Sequence, residues 1–235
     1  MKFHQIFIIT FLLSINLVAQ ENSGVLKYGQ YSNKFVIDTT SMSDSYLKSI
    51  LLDNFEKKRK ALAADIDLYN LMFDKGKSVF SAINMMDSDS NDALEKSLAK
   101  GTYYINTIEK TIHHEGDFFG QNLIIYYDKP LYEWVVENKK KIINNYNCQK
   151  ATTIVENTNG VKTKVTAWFT NDLNLNYGPK NYFGLPGLII ELHELDSVYY
   201  LKSLKFNNQK LDIPNKGKLV SFEEYEKMIK GAIKF

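Results

Sequence analysis

Gly184-Leu185-Pro186-Gly187-Leu188-Ile189-Ile190 packs a tight turn and the start of an apolar strand into seven residues. Pro186 has a fixed φ and biases Leu185 toward an extended conformation. Gly187 then falls where a type II turn requires positive φ. Beyond the turn, Leu188, Ile190 and Leu192 are expected on one face of a strand, with Ile189, Glu191 and His193 on the other. The turn therefore sets the register of a buried strand. Its glycines are no phosphate cradle, because glycine-rich phosphate signatures use other spacings and lead into a helix.

Working upstream, Val161, Val165, Ala167 and Phe169 alternate with Lys162, Lys164 and Thr166, which predicts a strand with one dry face. Trp168 falls on the polar side, where either the connection that follows covers it or a ligand stacks on it. That connection, 171–183, has no clear period and carries Tyr177-Gly178-Pro179 and Tyr182-Phe183. Long ordered loops of this kind are functional or are packed down by their own side chains. Downstream, 197–201 and 204–207 read as a hairpin and 212–215 as a turn. Ser221 with Glu224 is a capping-box signature for a last helix, whose Phe222, Tyr225, Ile229 and Ile233 share the face that docks on the sheet.

The first half of the chain repeats the strand theme around one helix. Strands are expected at 24–28 and 34–38 and a hairpin over 64–83 with Gly76 in its turn. The stretch 43–62 predicts an amphipathic helix that covers the core through Leu47, Ile50, Leu51 and Phe55, capped by Ser41 or Ser43 with Asp44 in its first turn. A brief helix carrying Leu94 and Leu98 is expected to stop at Gly101. Extended runs at 102–108, 122–127 and 131–136 carry apolar residues on both faces, so both sides of the sheet need cover: a helix, a second layer or an apolar ligand. The fold class is α+β, a mainly antiparallel, curved β-sheet with a few covering helices.

Composition sets the setting. The 235 residues are 44% hydrophobic and 24% charged, ample for a core, and the 13% aromatic share favours strands and ligand-facing walls. Residues 1–20 read as a secretory leader, with Lys2, an apolar run from Ile6 to Leu13 and Ala19 before the polar Glu21, Asn22 and Ser23. Residues 21–235 then form a single mostly-β domain. Ser14 and Asn16 interrupt the run, so no membrane span is expected there. Loss of the leader takes away Lys2 and no acid, lowering the formal charge of +2 by one, and this near-neutrality implies no nucleic-acid partner. The single cysteine, Cys148, has no intramolecular partner and lies far from the leader, so no lipid anchor is expected on it; a buried, inert thiol is the simplest reading.

No catalytic constellation emerges. The chain lacks a Gly-x-Ser-x-Gly elbow and a paired-histidine zinc helix. His113-His114-Glu115 is the richest metal-capable cluster, yet adjacent strand residues point to opposite faces and would not share one ion. Asp87, Asp89 and Asp92 lack the ordered ligand spacing and glycine of a calcium loop. No metal and no cofactor are expected.

Several blocks together carry a family resemblance: Tyr146-Asn147-Cys148-Gln149-Lys150-Ala151, Thr166-Ala167-Trp168-Phe169-Thr170, Gly178-Pro179, and Phe183-Gly184-Leu185-Pro186-Gly187-Leu188-Ile189. In their order and spacing they resemble the GLPGLI family, exported proteins of the Bacteroidota named for that motif. The resemblance runs over 141–200 and is weaker upstream. The chain departs in having Asn171-Asp172-Leu173 where the family often has a proline-containing acidic turn. The resemblance implies a periplasmic or secreted location and supplies no activity. The cysteine and tryptophan blocks are also similar to those of periplasmic carriers with a half-barrel sheet, the lipoprotein-carrier type, an analogy of fold rather than of function.

Three functions follow as expectations. The first is a periplasmic binding or carrier module whose concave face holds an apolar ligand against Trp168, Tyr177, Tyr182 and Phe183. The second is an interaction protein that presents the loop or a sheet edge to an outer-membrane protein such as a transporter. The third, a hydrolase assembled from distant acids and His193, has the least behind it.

Overall fold

The computed structural model describes residues 23–33, 43–63, 66–84, 94, 97–118, 120–130, 132–157, 160–208, 210–211 and 217–232. The expected leader, the strand at 34–38, the acidic stretch 85–92, the start of the brief helix and the turn at 212–215 lie outside the described residues.

Among the described residues, twelve strands form one sheet, built from two antiparallel meanders sewn together by the first strand. One meander runs through β2 (Tyr69–Asp74), β3 (Lys77–Ala82), β4 (Thr102–Asn106), β5 (Thr111–Phe118) and β6 (Gln121–Tyr127). The other runs through β7 (Val135–Ile143), β8 (Tyr146–Glu156), β9 (Lys162–Thr170), β10 (Leu188–Glu194) and β11 (Ser197–Phe206). Strand β1 (Ser23–Ser32) pairs with β2 on one side and β11 on the other. A short strand, β12 (Lys218–Ser221), adds in parallel to β6. The sheet is open, with β12 and β7 at its two edges.

Local chemistry explains the hairpins. Lys75-Gly76 and Asn144-Asn145 both have positive φ at each residue, as a type I′ turn requires. Strict alternation then buries Tyr69, Leu71 and Phe73 of β2 and Val165, Ala167 and Phe169 of β9 on one face, where they join the main core. The expected hairpin at 197–207 is instead one continuous strand paired along β1, since Lys202-Ser203 supplies no turn chemistry.

The sheet curls about its apolar face. In a flat sheet β10 and β4, five strand spacings apart, would be roughly 24 Å from each other. Adjacent residues Tyr182 and Phe183 nevertheless reach both: Tyr182 bonds Glu194 of β10, and Phe183 packs with Ile105 of β4 and Ile112 of β5. Curvature brings the two meanders around a common filling.

The expectation of covering helices is corrected. Helix α1 (Ser45–Ala61) buries no residue, and Leu47, Ile50 and Leu51 are 51%, 38% and 38% exposed. Its N-cap is Asp44, whose Oδ1 accepts from the amides of Tyr46 and Leu47, rather than Ser41 or Ser43. Lys58 tethers the helix to Asp196 at 2.8 Å, and its C-terminal end meets the core through the buried C-cap Leu62 and the partly buried Ala61. The physical reason is that another segment already occupies the concave face. Helix α2 (Phe222–Ala232) has the expected capping box, with Ser221 N donating to Glu224 Oε2 and Glu224 N to Ser221 Oγ. Its Phe222, Tyr225 and Met228 seal a local cluster of Leu123, Ile125 and Val220 at one edge.

Candidate functional site

The segment that fills the curl is the connection between β9 and β10, residues 171–187. It is pinned mainly by aromatic hydroxyls. Tyr182 Oη donates to Glu194 Oε1 at 2.6 Å, and Lys180 Nζ pairs with the other carboxylate oxygen. Tyr132 Oη donates to the Asn181 carbonyl at 2.7 Å and accepts from Phe183 N at 2.9 Å, while Trp134 Nε1 donates to the Phe183 carbonyl at 2.9 Å. At the other end Tyr177 Oη accepts from Gly76 N at 2.9 Å, and its ring lies 5.1 Å from that of Phe73. Each bond satisfies a polar group that would otherwise be stranded in an apolar interior.

The structure therefore places Tyr177, Tyr182 and Phe183 inside the bowl, 6%, 1% and 3% exposed, with Leu185, Leu188 and Ile189 buried beside them. Trp168 is not with them. Its neighbours Ala167 and Phe169 face the core, so the indole projects from the opposite face. Its partly buried ring still packs against the margin of the main core cluster. Lys141 lies over it, with Nζ 4.3 Å from the ring centroid. Lys141 Nζ also donates to Glu191 Oε1 at 2.8 Å, and His193 Nε2 lies 2.6 Å from that oxygen. Burial opposes the Glu191 charge, but the His193 and Lys141 contacts outweigh it and hold the carboxyl below the usual range. Cys148 is a buried free thiol, pushed up to about 11 by burial.

Two details of the motif differ from expectation. Gly184, not Gly187, adopts the left-handed conformation, with φ of 88°. Gly187 is needed for a different reason: a Cβ there would stand 2.0 Å from the Thr170 carbonyl oxygen, so the turn closes directly onto the end of β9. A bulge between Ile189 and Glu191 then breaks the simple alternation, and Leu188, Ile189 and Ile190 are all fully buried.

On the outer face of the sheet a half-open groove of about 470 Å³ runs over β3, β4 and β5. Val79, Tyr104 and His113 are successive cross-strand neighbours along it, while Phe80, Tyr103 and His114 are their inward counterparts. Tyr104 Oη donates to Glu115 Oε2 at 3.2 Å, and the His113 ring leans on Tyr126 at 5.0 Å. Burial lowers the His113 pKa, which keeps its ring neutral at neutral pH, with one donor and one acceptor nitrogen. His114, stacked on Tyr103 at 4.0 Å, is pushed down to about 4 by burial. Its Nε2 lies 3.1 Å from the Lys100 carbonyl, so that nitrogen carries the proton. Among the described residues, no group of three histidine, cysteine or acidic side chains is placed to hold a metal ion.

Edge strand β7 is the third exposed feature. Val135, Val136 and Ile142 are 64%, 47% and 73% exposed along it.

Residues 155–191 match the model of a protein family described as "Protein of unknown function (Porph_ging)". The matched span takes in the end of β8, all of β9, the filling connection and the first half of β10. No curated protein matches the chain. Solved structures of PNGF-II in two space groups share the fold, with TM-scores of 0.55 and 0.51 at 15% and 16% identity. The match covers 89% and 88% of this chain but 33% and 32% of those chains, so the chain spans about a third of the length of the structures it matches. At that identity the likeness concerns fold alone.

Sequence reasoning missed Tyr132, Trp134 and Glu194 as the residues that hold the connection, and Tyr104 with His113 as a groove wall. For Glu194 a signal existed, since it keeps step with Leu192 on the apolar face of its strand. Tyr132 and Trp134 depend on partners 49 residues away, and the groove wall on the register of three strands.

Proposed function

We propose that this chain is an exported interaction module of the GLPGLI type, at work in the periplasm or outside the cell, that docks an extended segment of an outer-membrane protein along edge strand β7. The observation that carries this reading is the open nine-residue edge with exposed Val135, Val136 and Ile142. Among the described residues this edge is unpaired and offers backbone donors and acceptors to an added strand, and the exposed apolar side chains at its two ends, on either side of Lys139-Lys140-Lys141, supply specificity. The 171–187 connection is the weaker candidate for presentation, being buried. A carrier of apolar ligands in a half-barrel would need that connection to leave the concave face, against the bonds of Tyr182, Tyr132, Trp134 and Tyr177. Membership of a fold that occupies a third of a longer chain in PNGF-II suits a module that works against other protein surface.

The test is photo-crosslinking in the native cell from position 142, with a control probe at exposed Leu219 on the other edge. A single outer-membrane adduct, absent from the control and lost on Val136→Pro, supports docking. Adducts common to both probes, or one that survives Val136→Pro in a folded protein, would sink it.

A further inference from the structure

The outer groove over β3–β5 lies on strands remote from β7 and is a site in its own right. Its two ends differ in character. At one end Val79, Tyr104 and His113 make an apolar and aromatic wall, and Leu211 also lines the groove. At the other, next to the β2–β3 and β4–β5 turns, the rim carries both signs of charge: Asp74 and Glu109 against Lys77 and Lys210. None of these four forms an ion pair among the described residues, although Asp74 and Lys77 are cross-strand partners. Lysines without an ion pair among the described residues also occur elsewhere on the sheet, as at Lys140, Lys164, Lys205 and Lys218; what sets this place apart is that two such lysines and two such acids line one groove. Cations and acids left apart around an apolar-floored groove leave both charges available to a guest.

We propose that this groove binds a dipeptide-sized zwitterion with an apolar side chain. The apolar side chain lies on Val79 and between the Tyr104 and His113 rings, the ammonium faces Asp74 and Glu109, and the carboxylate faces Lys77 and Lys210. The volume of about 470 Å³ falls within the range of small-molecule sites, roughly 300–1,000 Å³. Neutral His113 adds one hydrogen-bond donor and one acceptor for a peptide group. An uncharged lipid chain would leave the four rim charges unused, and a polyanion would meet Asp74 and Glu109.

Isothermal titration of the purified chain with phenylalanyl-leucine, its N-acetylated form and its C-amidated form tests the assignment. Saturable binding of the free dipeptide is expected, weakened about threefold by either blocking group, as for partly exposed ion pairs. Lys77→Gln, a neutral change at an exposed position, should weaken the free dipeptide about threefold yet leave the amidated form unchanged. Tyr104→Ala should cost about tenfold for all forms through lost ring contact. The proposal is overturned if no saturable binding occurs at millimolar dipeptide. It is equally overturned if binding ignores both substitutions, or if the acetylated and amidated forms bind as well as the free one. Tight binding of the doubly blocked peptide alone would point to an internal segment of a protein chain and would also remove the zwitterion.

Discussion

Tyr182 Oη donates to Glu194 Oε1 at 2.6 Å on the concave side of the sheet, and this bond ties the connection between β9 and β10 back onto the strand it leads into. Lys180 pairs with the same carboxylate, so one acidic side chain anchors two loop residues. Burial, followed by the Glu194 charge, raises the Tyr182 pKa, so the phenol stays a donor at every physiological pH.

Removing that anchor should loosen the filling segment. Tyr182→Phe should cost about 1–2 kcal/mol and Glu194→Ala about 2–4 kcal/mol, the larger value because Lys180 loses its partner. The double variant should cost less than the sum. Urea unfolding of all three chains measures this, and strict additivity would show that the bond carries no coupling.

The two motif glycines should respond differently. Gly187→Ala drives a methyl against the Thr170 carbonyl and should destabilise by about 2–4 kcal/mol. Gly184→Ala meets open space and pays only for its positive φ, about 1 kcal/mol. Thermal midpoints in the opposite order would contradict the assigned roles.

Acid should weaken the fold partly through His114. Its folded pKa is about 4 against 6.5 for a free imidazole, so the unfolded chain binds the proton more readily. The contribution to stability is fully present above pH 6.5 and is lost as pH falls toward 4, amounting to about 2–3 kcal/mol. His114→Phe should flatten the stability profile across that window. An unchanged slope would remove the residue from the acid response.

Cys148 should resist thiol reagents in the native protein. A buried thiol pushed up to about 11 offers little thiolate at pH 8. Labelling by a disulfide-exchange chromophore should be slow in buffer and immediate in urea, and rapid native labelling would contradict its burial.

Asp44→Ala should fray helix α1 and leave the sheet intact. Loss of the cap costs about 1 kcal/mol locally, but α1 contributes no buried residue to the core. Amide exchange should quicken within Ser45–Ala61 while the main unfolding midpoint stays put.

Much of this architecture is local chemistry and was legible in the residues. The β2–β3 hairpin about Gly76, the one-faced alternation of β9 and the capping box of α2 all follow from interactions within a few positions. The polar-rich β5, with His113 and His114 on opposite faces, shows no clear period, because one face lines a groove and the other a core. Helix α1 misled for a related reason: periodicity reports an apolar stripe but not whether anything is free to receive it.

The sequence by itself determined that the chain is a mainly antiparallel sheet and that 184–190 is a rigid turn opening a buried strand. Only the tertiary structure decided that Tyr177, Tyr182 and Phe183 fill the bowl, that Trp168 lies on the other face under Lys141, and that Gly187 is required by Thr170 rather than by its own φ. Strand pattern is a property of neighbours along the chain, set by the alternation of side chains. Which side of a curved sheet a connection crosses depends on partners such as Gly76, Tyr132 and Glu194, and those meet it only once the sheet has curled.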